Sequence, residues 1–335
     1  MSLAKVVLVG VPGMNDEEIE KIEKYIKEEV EDIDFVFLGK GVLPKDELIE
    51  KCKDVDVLVT WNQQMDMEVY KALSLKAFCA ASTGFNAADI ESATKCGVMV
   101  TNAKDYCVDE VSSHALMLIL TFARKLNLAV ENVKNGKWNI EGMGRISRFS
   151  DSTVGLFAFG SIARGVAKKL SGFGLKMISY DPYVDEDVMR EYGVKKVDFD
   201  TLLKSSDYIS IHAPLTKETY KIFSKEKLSQ VKEGAYIINT ARGQIIDQDA
   251  LYEMLESGRI QGAGLDVIFN EPPLDTDLKL INLPNTIVTP HSAYYSDEAQ
   301  EDQLRITARD VGRIIRGEVP FNLRNPEVLE SSKGN

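Results

Sequence analysis

The sequence predicts an α/β protein built on parallel sheets with helices on both faces of each. Short β-rich runs alternate with amphipathic segments through the first hundred residues, and a second series of the same kind begins at Thr153. Strands that alternate with helices in this way form parallel sheets. The length of 335 residues accommodates about two domains, and no linker rich in Pro, Gly and Ser separates the two series.

Composition excludes several classes of protein. The chain is 44% apolar and 27% charged, which is typical of an ordered globular protein. Its net charge of −12 argues against binding nucleic-acid phosphates, which requires a basic surface. The longest apolar stretch, around Ala115 to Ala123, is about half the length of a bilayer span. No apolar or arginine-rich leader opens the chain, so we expect a cytoplasmic protein without a membrane partner.

The cysteines and histidines predict neither a metal site nor disulfides. The chain has three histidines and four cysteines, and no two cysteines have the C-x-x-C spacing. A chain of this length does not need a disulfide framework. We expect reduced thiols, with Cys79 as a small core residue.

The first series of elements predicts five strands with helices between them. The strands are placed at Lys5–Val9, Phe35–Leu38, Val55–Val59, Ala77–Ala80 and Val98–Thr101. Asn15 can cap the first helix, whose opening turn is acidic, as the helix dipole favours. Further helices are placed at Asp46–Cys52, Met65–Leu73 and Ala87–Cys96.

The segment between the two series predicts one long helix from Val108 to Leu126. Its middle, His114–Leu120, is apolar all round, so we expect it to be buried on most sides. The following segment, Lys134–Ser150, is rich in Gly, Lys and Arg and contains Trp138. It predicts a loop or an arm that contacts another surface.

The second series predicts six strands and a final helix. The strands are placed at Val154–Phe157, Lys176–Tyr180, Tyr208–His212, Ala235–Asn239, Gly262–Val267 and Thr286–Thr289. The final helix runs from about Ser296 to Ile315 and a polar tail follows it.

An incomplete dinucleotide fingerprint follows the first strand of the second series. Dinucleotide-binding turns have the pattern G-x-G-x-x-G between a strand and a helix. Here only Gly160 remains, at the central position where a side chain would collide with phosphate. Ala163 is tolerated at the third position, whereas Ala158 at the first is a departure from the pattern. The alternative is an ordinary strand-to-helix turn.

The end of the next strand favours a cofactor. Asp181 lies 21 residues after Gly160, where a ribose-binding carboxylate belongs. Its negative charge would repel a 2′-phosphate, so the sequence favours NAD over NADP. The alternative for Asp181 is a turn residue before Pro182.

Three later strand ends carry ionisable side chains. Arg242 follows the fourth predicted strand, Glu271 lies in the loop after the fifth, and His291 follows the sixth. Because open parallel sheets bind ligands at the carboxyl ends of their strands, we expect all three at the edge where a cofactor would bind.

These residue types suit the reduction of a 2-oxo acid. Arginine binds a carboxylate through two parallel hydrogen bonds, and histidine can supply the proton that the C2 oxygen takes up. A glutamate beside that histidine would orient the ring and stabilise its charged form. Each residue also has another explanation by itself: Arg242 as a surface ion-pair residue, Glu271 as a turn acid, His291 as a helix-entry residue.

The chain resembles the D-isomer-specific 2-hydroxyacid dehydrogenase family over nearly its whole length. The matching segments are Thr83–Asn86, Tyr106–Val111, the loop around Gly160, His212–Thr216, Asn239–Gly243, Gly264–Val267 and Thr289–His291. The resemblance implies an NAD-dependent oxidoreductase that interconverts a small 2-oxo acid and a D-2-hydroxy acid by hydride transfer.

The resemblance also implies residue roles. Arg242 would bind the substrate carboxylate, and His291, paired with Glu271, would transfer the proton. Thr83 and Gly84 would contact the substrate from the other domain. The implied cofactor-binding residues are Gly160, Ser161, Ile162, Asp181, His212, Ala213, Pro214, Thr219, Thr240, Ala241 and Asp266.

The domain organisation follows from the same resemblance. Residues 1–103 with 293–335 would form a flavodoxin-like substrate-binding domain, and residues 104–292 a Rossmann NAD-binding domain, with the active site in the cleft. The apolar helix and the Trp138 arm would join two subunits into a homodimer.

The sequence leaves alternatives open for both the substrate and the function. Tyr294 and Trp61 favour an apolar or aromatic 2-oxo acid over glyoxylate if they line the pocket, and packing between the domains is their other explanation. Tyr294-Tyr295-Ser296 is similar to a segment of C-terminal-binding proteins, so an NAD(H)-dependent dimeric scaffold of the corepressor type is the alternative function. A paralogue without nucleotide binding is a third reading, which rests on Ala158 and Ala163.

Overall fold

The computed structural model describes residues 3–331, which divide into two compact units. The first unit contains the described residues up to Tyr106 together with those from Ser296 onward, and the second spans Cys107–Tyr295. The sequence-based boundaries, after residues 103 and 292, lie three residues before these positions.

The first unit is built on a five-stranded parallel sheet in the order β2-β1-β3-β4-β5, which is the flavodoxin-like order. Its strands are β1 (Ala4–Val9), β2 (Ile33–Gly39), β3 (Val57–Thr60), β4 (Ala77–Ala80) and β5 (Met99–Asn102). Its helices are α1 (Asp16–Glu29), α2 (Lys45–Lys51), α3 (Met67–Ala72), α4 (Ile90–Lys95), α13 (Asp297–Ile315) and α14 (Val328–Ser331).

Side-chain caps fix the starts of four helices in this unit, α1, α3, α4 and α13. Asn15 Oδ1 accepts a hydrogen bond from the Glu18 amide at 2.9 Å, and Glu18 Oε2 accepts one from the Asn15 amide at 2.6 Å. This reciprocal pair confirms the predicted cap of α1. Ser296 Oγ caps α13 by accepting from the Ala299 amide at 3.0 Å. The apolar face of α13, which includes Leu304 and Val311, packs in one core cluster with residues of α1 and β1, so the C-terminal helix completes this unit.

The second unit is built on a seven-stranded parallel sheet in the order β12-β11-β10-β9-β6-β7-β8. Its strands are β6 (Thr153–Phe157), β7 (Lys176–Tyr180), β8 (Val194–Lys196), β9 (Tyr208–Ile211), β10 (Tyr236–Asn239), β11 (Gly262–Leu265) and β12 (Thr286–Val288). Its helices are α5 (Val108–Arg124), α6 (Leu126–Lys134), α7 (Ser161–Leu170), α8 (Glu186–Glu191), α9 (Phe199–Ser205), α10 (Lys225–Ser229), α11 (Gln248–Glu256) and α12 (Leu278–Ile281).

The two strand orders confirm the predicted fold class. Counted from its first strand, the second sheet has the Rossmann order 3-2-1-4-5-6 extended by one strand. Every predicted strand is present, with ends within two residues of the predicted ones.

The predicted single helix from Val108 to Leu126 is wrong. Helix α5 ends at Arg124, Lys125 adopts a left-handed φ of 49°, and α6 begins at Leu126. The expected burial on most sides is present, because Met117, at 46% exposed, is the one exposed residue of His114–Leu120. Strand β8 was missed because three residues, two of them lysines, carry too little pattern at the edge of a sheet.

The cysteines are free thiols. Cys79 is 1% exposed in the core of the first unit, as predicted. Burial raises the pKa of Cys79 to about 12 and that of Cys52 to about 11, so both stay protonated at neutral pH. Over residues 3–331, no cluster of three or more metal-ligating side chains is found. No helix in the same range is long and apolar enough to cross a membrane.

Candidate active site

The carboxyl edge of the seven-stranded sheet carries most of the predicted site residues. The strand order reverses between β6 and β9, the point where open α/β sheets bind ligands. Phe157 pairs with Ile211, which pairs in turn with Asn239, so the residues that follow these three lie side by side. Those following residues are Ala158, His212 and Thr240.

The turn from β6 into α7 leaves space for a phosphate group. Among residues 3–331, no atom lies within 4 Å of a Cβ placed on Gly160, and no side chain caps the start of α7. The first amides of α7, from Ser161 and Ile162, lie at this open end. Ala158 adopts a φ of 71°, the left-handed region that glycine occupies in the usual fingerprint. The turn therefore keeps its shape with alanine, at a cost of about 1 kcal/mol.

Two polar side chains at this edge have buried atoms without a hydrogen-bond partner among the residues that the structure describes. Both ring nitrogens of His212 and Oγ1 of Thr240 are buried without a hydrogen bond to any described residue. Because an unpaired buried polar group costs about 1–3 kcal/mol, these atoms point to a bound ligand. Burial lowers the pKa of His212 to about 3, so the ring is neutral at physiological pH. The open turn and these unpartnered atoms fit a dinucleotide.

Asp181 is engaged mainly with its own loop. Its carboxylate is 7% exposed, and Oδ2 accepts from the Phe159 amide at 2.8 Å. Oδ1 accepts from the Tyr183 amide at 2.8 Å and the Val184 amide at 3.2 Å. Because a carboxylate offers about four acceptor sites, one site on Oδ2 remains for a ribose hydroxyl. Both sequence-based explanations of Asp181, turn residue and ribose acceptor, are compatible with this geometry.

A cavity of about 570 Å³ lies beside Asp181. It is lined by Tyr180, Asp181, Pro182, Glu186, Lys195, Lys196, Val197, Asp198 and Thr201. Its volume lies within the range of small-molecule sites.

The loop after β9 is closed by its own threonine. Thr219 Oγ1 donates to the Pro214 carbonyl at 2.7 Å and accepts from the Thr216 amide at 2.8 Å. Ala213 is buried at the start of this loop. The structure therefore shows Thr219 as a turn-closing residue, and its contact with a cofactor stays a prediction.

Asn239 and Gly243 hold the loop that carries Arg242. Asn239 Oδ1 accepts from the Ala241 amide at 3.0 Å, and Nδ2 donates to the Arg242 carbonyl at 2.9 Å. A Cβ atom on Gly243 would lie 1.9 Å from the Ile268 carbonyl oxygen, so only glycine lets the loop approach this backbone. Sequence reasoning quoted both residues as part of a motif but did not find these roles.

His291 and Glu271 form a direct pair. Nδ1 of His291 lies 2.5 Å from Glu271 Oε2, and Glu271 Oε1 accepts from the Ile268 amide at 3.2 Å. Because the carboxylate accepts, the network assigns a proton to Nδ1. Nε2 is then the ring atom that can exchange a proton with a ligand. The pairing that the family resemblance implied is present.

Asp266 fixes the turn on which His291 stands. His291 has a φ of 51°, and its amide donates to the Asp266 carbonyl at 2.8 Å. The Asp266 carboxylate, 1% exposed, accepts from the Ser292 amide at 3.0 Å and the Ala293 amide at 2.9 Å. These bonds hold His291 in a backbone conformation that a non-glycine residue rarely adopts. One acceptor site remains on Oδ2 for the predicted contact with the nicotinamide, once the bond from Thr289 is counted.

Sequence reasoning missed a polar chain behind this aspartate. Thr289 Oγ1 donates to Asp266 Oδ1 at 2.5 Å, and His114 Nε2 lies 3.1 Å from Thr289 Oγ1. The available signal was a histidine on the otherwise apolar middle of α5.

Thr83 and Gly84 lie in the first unit, in the loop after β4. Thr83 Oγ1 donates to the Ala103 carbonyl at 3.2 Å, and Ser82 Oγ donates to the Gly84 carbonyl at 2.7 Å. Asn102 Nδ2 donates to the Thr83 carbonyl at 2.6 Å. Side chains therefore hold this loop, and its substrate contact stays a prediction.

The Rossmann strand order, the open turn before α7 and the His291–Glu271 pair are typical of a dinucleotide-dependent oxidoreductase. The family model "D-isomer specific 2-hydroxyacid dehydrogenase, NAD binding domain" matches residues 116–293. The chain is 37% identical over 297 residues to the glyoxylate reductase of Thermococcus litoralis, covering 86% of this chain and 89% of that one. It is 39% identical over 262 residues to the hydroxypyruvate reductase of Thermotoga maritima, covering 77% and 84%.

A solved structure is similar over almost the whole chain. The D-lactate dehydrogenase of Aquifex aeolicus, complexed with NAD and lactic acid, has a TM-score of 0.84 and 29% identity. The similarity covers 96% of this chain and 99% of that one. The chain belongs to the D-isomer-specific 2-hydroxyacid dehydrogenase family. It is an NAD-dependent oxidoreductase that interconverts a 2-oxo acid and a D-2-hydroxy acid by hydride transfer.

Proposed function

We propose that this chain reduces a short 2-oxo acid of the glyoxylate or hydroxypyruvate type, with His291 as the proton donor. The observation that carries the proposal is the His291–Glu271 pair at 2.5 Å on the edge of the Rossmann sheet. The names of the two similar reductases support the short substrate.

Arg242 binds the substrate carboxylate in this proposal. Its planar guanidinium can make two parallel hydrogen bonds to a carboxylate, which fixes the plane of the oxo acid. The loop that carries Arg242 is held by Asn239 and Gly243, so little conformational freedom is lost when substrate binds.

His291 delivers the proton to the C2 oxygen. Bound NADH supplies the hydride. As negative charge develops on the C2 oxygen, a protonated His291 ring donates from Nε2, while the Glu271 carboxylate holds Nδ1 and stabilises the ring's positive charge. In the oxidative direction the neutral ring accepts the hydroxyl proton at the same atom.

The cofactor is held by the edge of the second unit. Gly160, Ser161 and Ile162 bind the pyrophosphate at the start of α7, and Asp181 accepts one ribose hydroxyl. His212, Thr240, Ala241 and Asp266 surround the nicotinamide half, with Ala213, Pro214 and Thr219 beside it. The unpartnered atoms of His212 and Thr240 support this arrangement.

The substrate pocket has an aromatic neighbour. The Tyr294 ring lies 6.4 Å from the His291 ring, edge-on at 80°. This contact is the reason to test larger substrates as well, because Tyr294 offers a surface for an apolar or aromatic side chain.

We also propose a cytoplasmic homodimer. Helices α5 and α6 and the following arm expose large apolar side chains, including Trp138 at 89% and Ile140 at 82%. The others are Met117, Leu126, Val130 and Val133. Exposed apolar patches of this kind mark association surfaces. Light scattering should report twice the chain mass, and a monomer at micromolar concentration would contradict the dimer.

The proposed activity is tested by NADH oxidation against about twenty 2-oxo acids, from glyoxylate and hydroxypyruvate to phenylpyruvate. We expect the highest kcat/KM for the short acids. Turnover of phenylpyruvate above all others would replace the short substrate by an aromatic one. Tight NADH binding without turnover of any acid would favour the dimeric scaffold.

A further inference from the structure

The C-terminal segment reaches the loop of Thr83 and Gly84 through a single asparagine. Arg324 Nε donates to Asn102 Oδ1 at 2.7 Å, and Asn102 Nδ2 donates to the Thr83 carbonyl at 2.6 Å. Asn102 is 4% exposed at the end of β5. The three groups therefore form one continuous chain of hydrogen bonds, ordered from Arg324 to the loop.

Arg324 and the Thr83 carbonyl together decide which way the Asn102 amide points. An asparagine side chain can rotate to exchange its oxygen and nitrogen, but a guanidinium has donors only. The atom facing Arg324 must therefore be Oδ1, which turns Nδ2 toward the Thr83 carbonyl. Without the guanidinium, Oδ1 of this buried amide loses the bond from Arg324, and the bond to the Thr83 carbonyl is left to hold the amide.

The carbonyl of Thr83 in turn orients the amide of Gly84. The two groups share one peptide plane, and in a trans peptide the N–H points opposite to the C=O. With the carbonyl held by Asn102, the Gly84 N–H points away from Asn102. Ser82 Oγ fixes the next carbonyl along the chain, that of Gly84, at 2.7 Å.

The position of Arg324 is itself fixed. Its amide donates to the Val100 carbonyl at 2.8 Å, and Asn325 Oδ1 accepts from the Val100 amide at 2.8 Å. Asn325 is fully buried and Nδ2 donates to the Val98 carbonyl at 2.9 Å. The guanidinium carbon lies 5.8 Å from the centre of the ring of Phe85, the residue after Gly84.

The positive charge of Arg324 also strengthens its hold on Asn102. Partial burial lowers the pKa of the guanidinium, but arginine stays charged at neutral pH. A partly desolvated positive charge strengthens the hydrogen bond to Asn102 and makes the amide a better donor to Thr83.

We propose that Arg324 is a positioning residue for substrate binding, which acts through Asn102 to fix the Thr83–Gly84 peptide plane and so aims the Gly84 N–H at the anionic substrate. The inference rests on the proposed role of Thr83 and Gly84. It assigns a role in substrate binding to Arg324, which lies in the segment after α13, outside the unit that carries the seven-stranded sheet.

The test compares three substitutions of Arg324 by steady-state kinetics and NADH titration. Arg324→Lys keeps a donor-only group and should keep KM for the oxo acid within about threefold. Arg324→Met removes the donor, and KM should rise about tenfold with kcat within about threefold. Arg324→Glu offers only acceptors, reverses the Asn102 amide and should raise KM about a hundredfold. NADH affinity should not change in any variant.

Arg309→Met is the matched control, because the exposed Arg309 also lies over an aromatic ring, that of Phe321 at 4.9 Å. It should behave as the parent. Asn102→Ala should raise KM like Arg324→Met, and the double variant should be no worse than Asn102→Ala alone. A parent-like KM for Arg324→Met, or an equal rise in Arg309→Met, overturns the inference.

A binding measurement separates this inference from the proposed activity. Oxamate has the shape of a 2-oxo acid but cannot accept hydride, and glycine-labelled protein reports its contact with Gly84 by NMR. We expect oxamate to shift the Gly84 amide resonance in the parent and to bind about tenfold more weakly to Arg324→Met. If the parent binds oxamate but reduces no oxo acid, the proposed activity fails, whereas the positioning role of Arg324 stands. If oxamate does not bind the parent at tens of millimolar, both fail.

Discussion

Two regions of this chain are proposed to contact the ligands, the carboxyl edge of the seven-stranded sheet and the loop of Thr83 and Gly84. They present different kinds of chemical group. At the Rossmann edge, Arg242, Glu271 and His291 present side chains, and His212 and Thr240 keep buried polar atoms without a described partner. In the loop of Thr83 and Gly84, side chains of Ser82, Thr83 and Asn102 donate to backbone carbonyls, and the group that we propose to contact the substrate is the Gly84 amide. Residue type reveals the first kind of site, whereas the second kind depends on how a peptide plane is held.

The largest expected effect is a loss of NADH affinity, caused by a substitution in the open turn between β6 and α7. Gly160→Val places a side chain where the protein has no atom within 4 Å, so the fold should tolerate it. The same side chain would fill the space for the pyrophosphate, and we expect calorimetric NADH affinity to fall at least about a thousandfold, or about 4 kcal/mol.

Gly172→Val is the control, because Gly172 also has open space around it but does not lie at the start of α7. It should bind NADH as the parent does. Parent-like NADH binding by Gly160→Val would move the cofactor away from this turn.

The next effect concerns the arginine of the same edge. Arg242→Lys keeps the charge but loses the planar fork, so KM for the oxo acid should rise by about 10- to 100-fold and kcat should fall. NADH affinity should be unchanged. If Arg242→Ala has the kinetics of the parent, another group holds the carboxylate.

His212, at the edge of the seven-stranded sheet, should make the free energy of unfolding depend on pH. Its folded pKa is about 3 and its ordinary value is 6.5, so between these values the unfolded chain binds more protons. The free energy of unfolding should therefore fall as pH drops below about 6.5, by up to about 1.4 kcal/mol per unit from this residue. Urea unfolding of cofactor-free His212→Gln should show a flatter profile between pH 7 and 5. Identical slopes would mean that the ring is not held neutral.

The smallest effect is expected at Ala158. Its φ of 71° suits glycine, so Ala158→Gly should raise the free energy of unfolding by up to about 1 kcal/mol. The amides of α7 are unaffected, so NADH affinity should change tenfold or less. A loss of stability would show that the methyl group contributes packing that outweighs the strain.

Sequence reasoning predicted the strands because they depend on local pattern, and it placed Glu271 and His291 at one edge of the sheet because both follow strands of the same series. The pairing of these two residues came from the resemblance to the family. Sequence reasoning did not predict the break at Lys125, since a left-handed lysine has no pattern of its own. It gave Asp181 and Asp266 to the cofactor, whereas most of their acceptor sites serve nearby backbone amides. Such bonds depend on tertiary geometry that spacing does not contain.

The hydrogen bonds from Arg324 through Asn102 to Thr83 could not be predicted from the sequence for the same reason. Asn102 is 19 residues from Thr83 and Arg324 is 222 residues from Asn102. The polar character of Arg324 gave no indication that its partner is a buried amide.

The account depends most directly on His291 as the proton donor, and His291→Gln tests it. We expect turnover of the best oxo acid to fall by about 10²–10⁴-fold, while the NADH dissociation constant stays that of the parent. Glu271→Gln should lose less turnover, because the ring keeps its own proton-donating atom and loses only the carboxylate that holds Nδ1. Near-parent turnover by His291→Gln would remove His291 from the reaction and contradict the account.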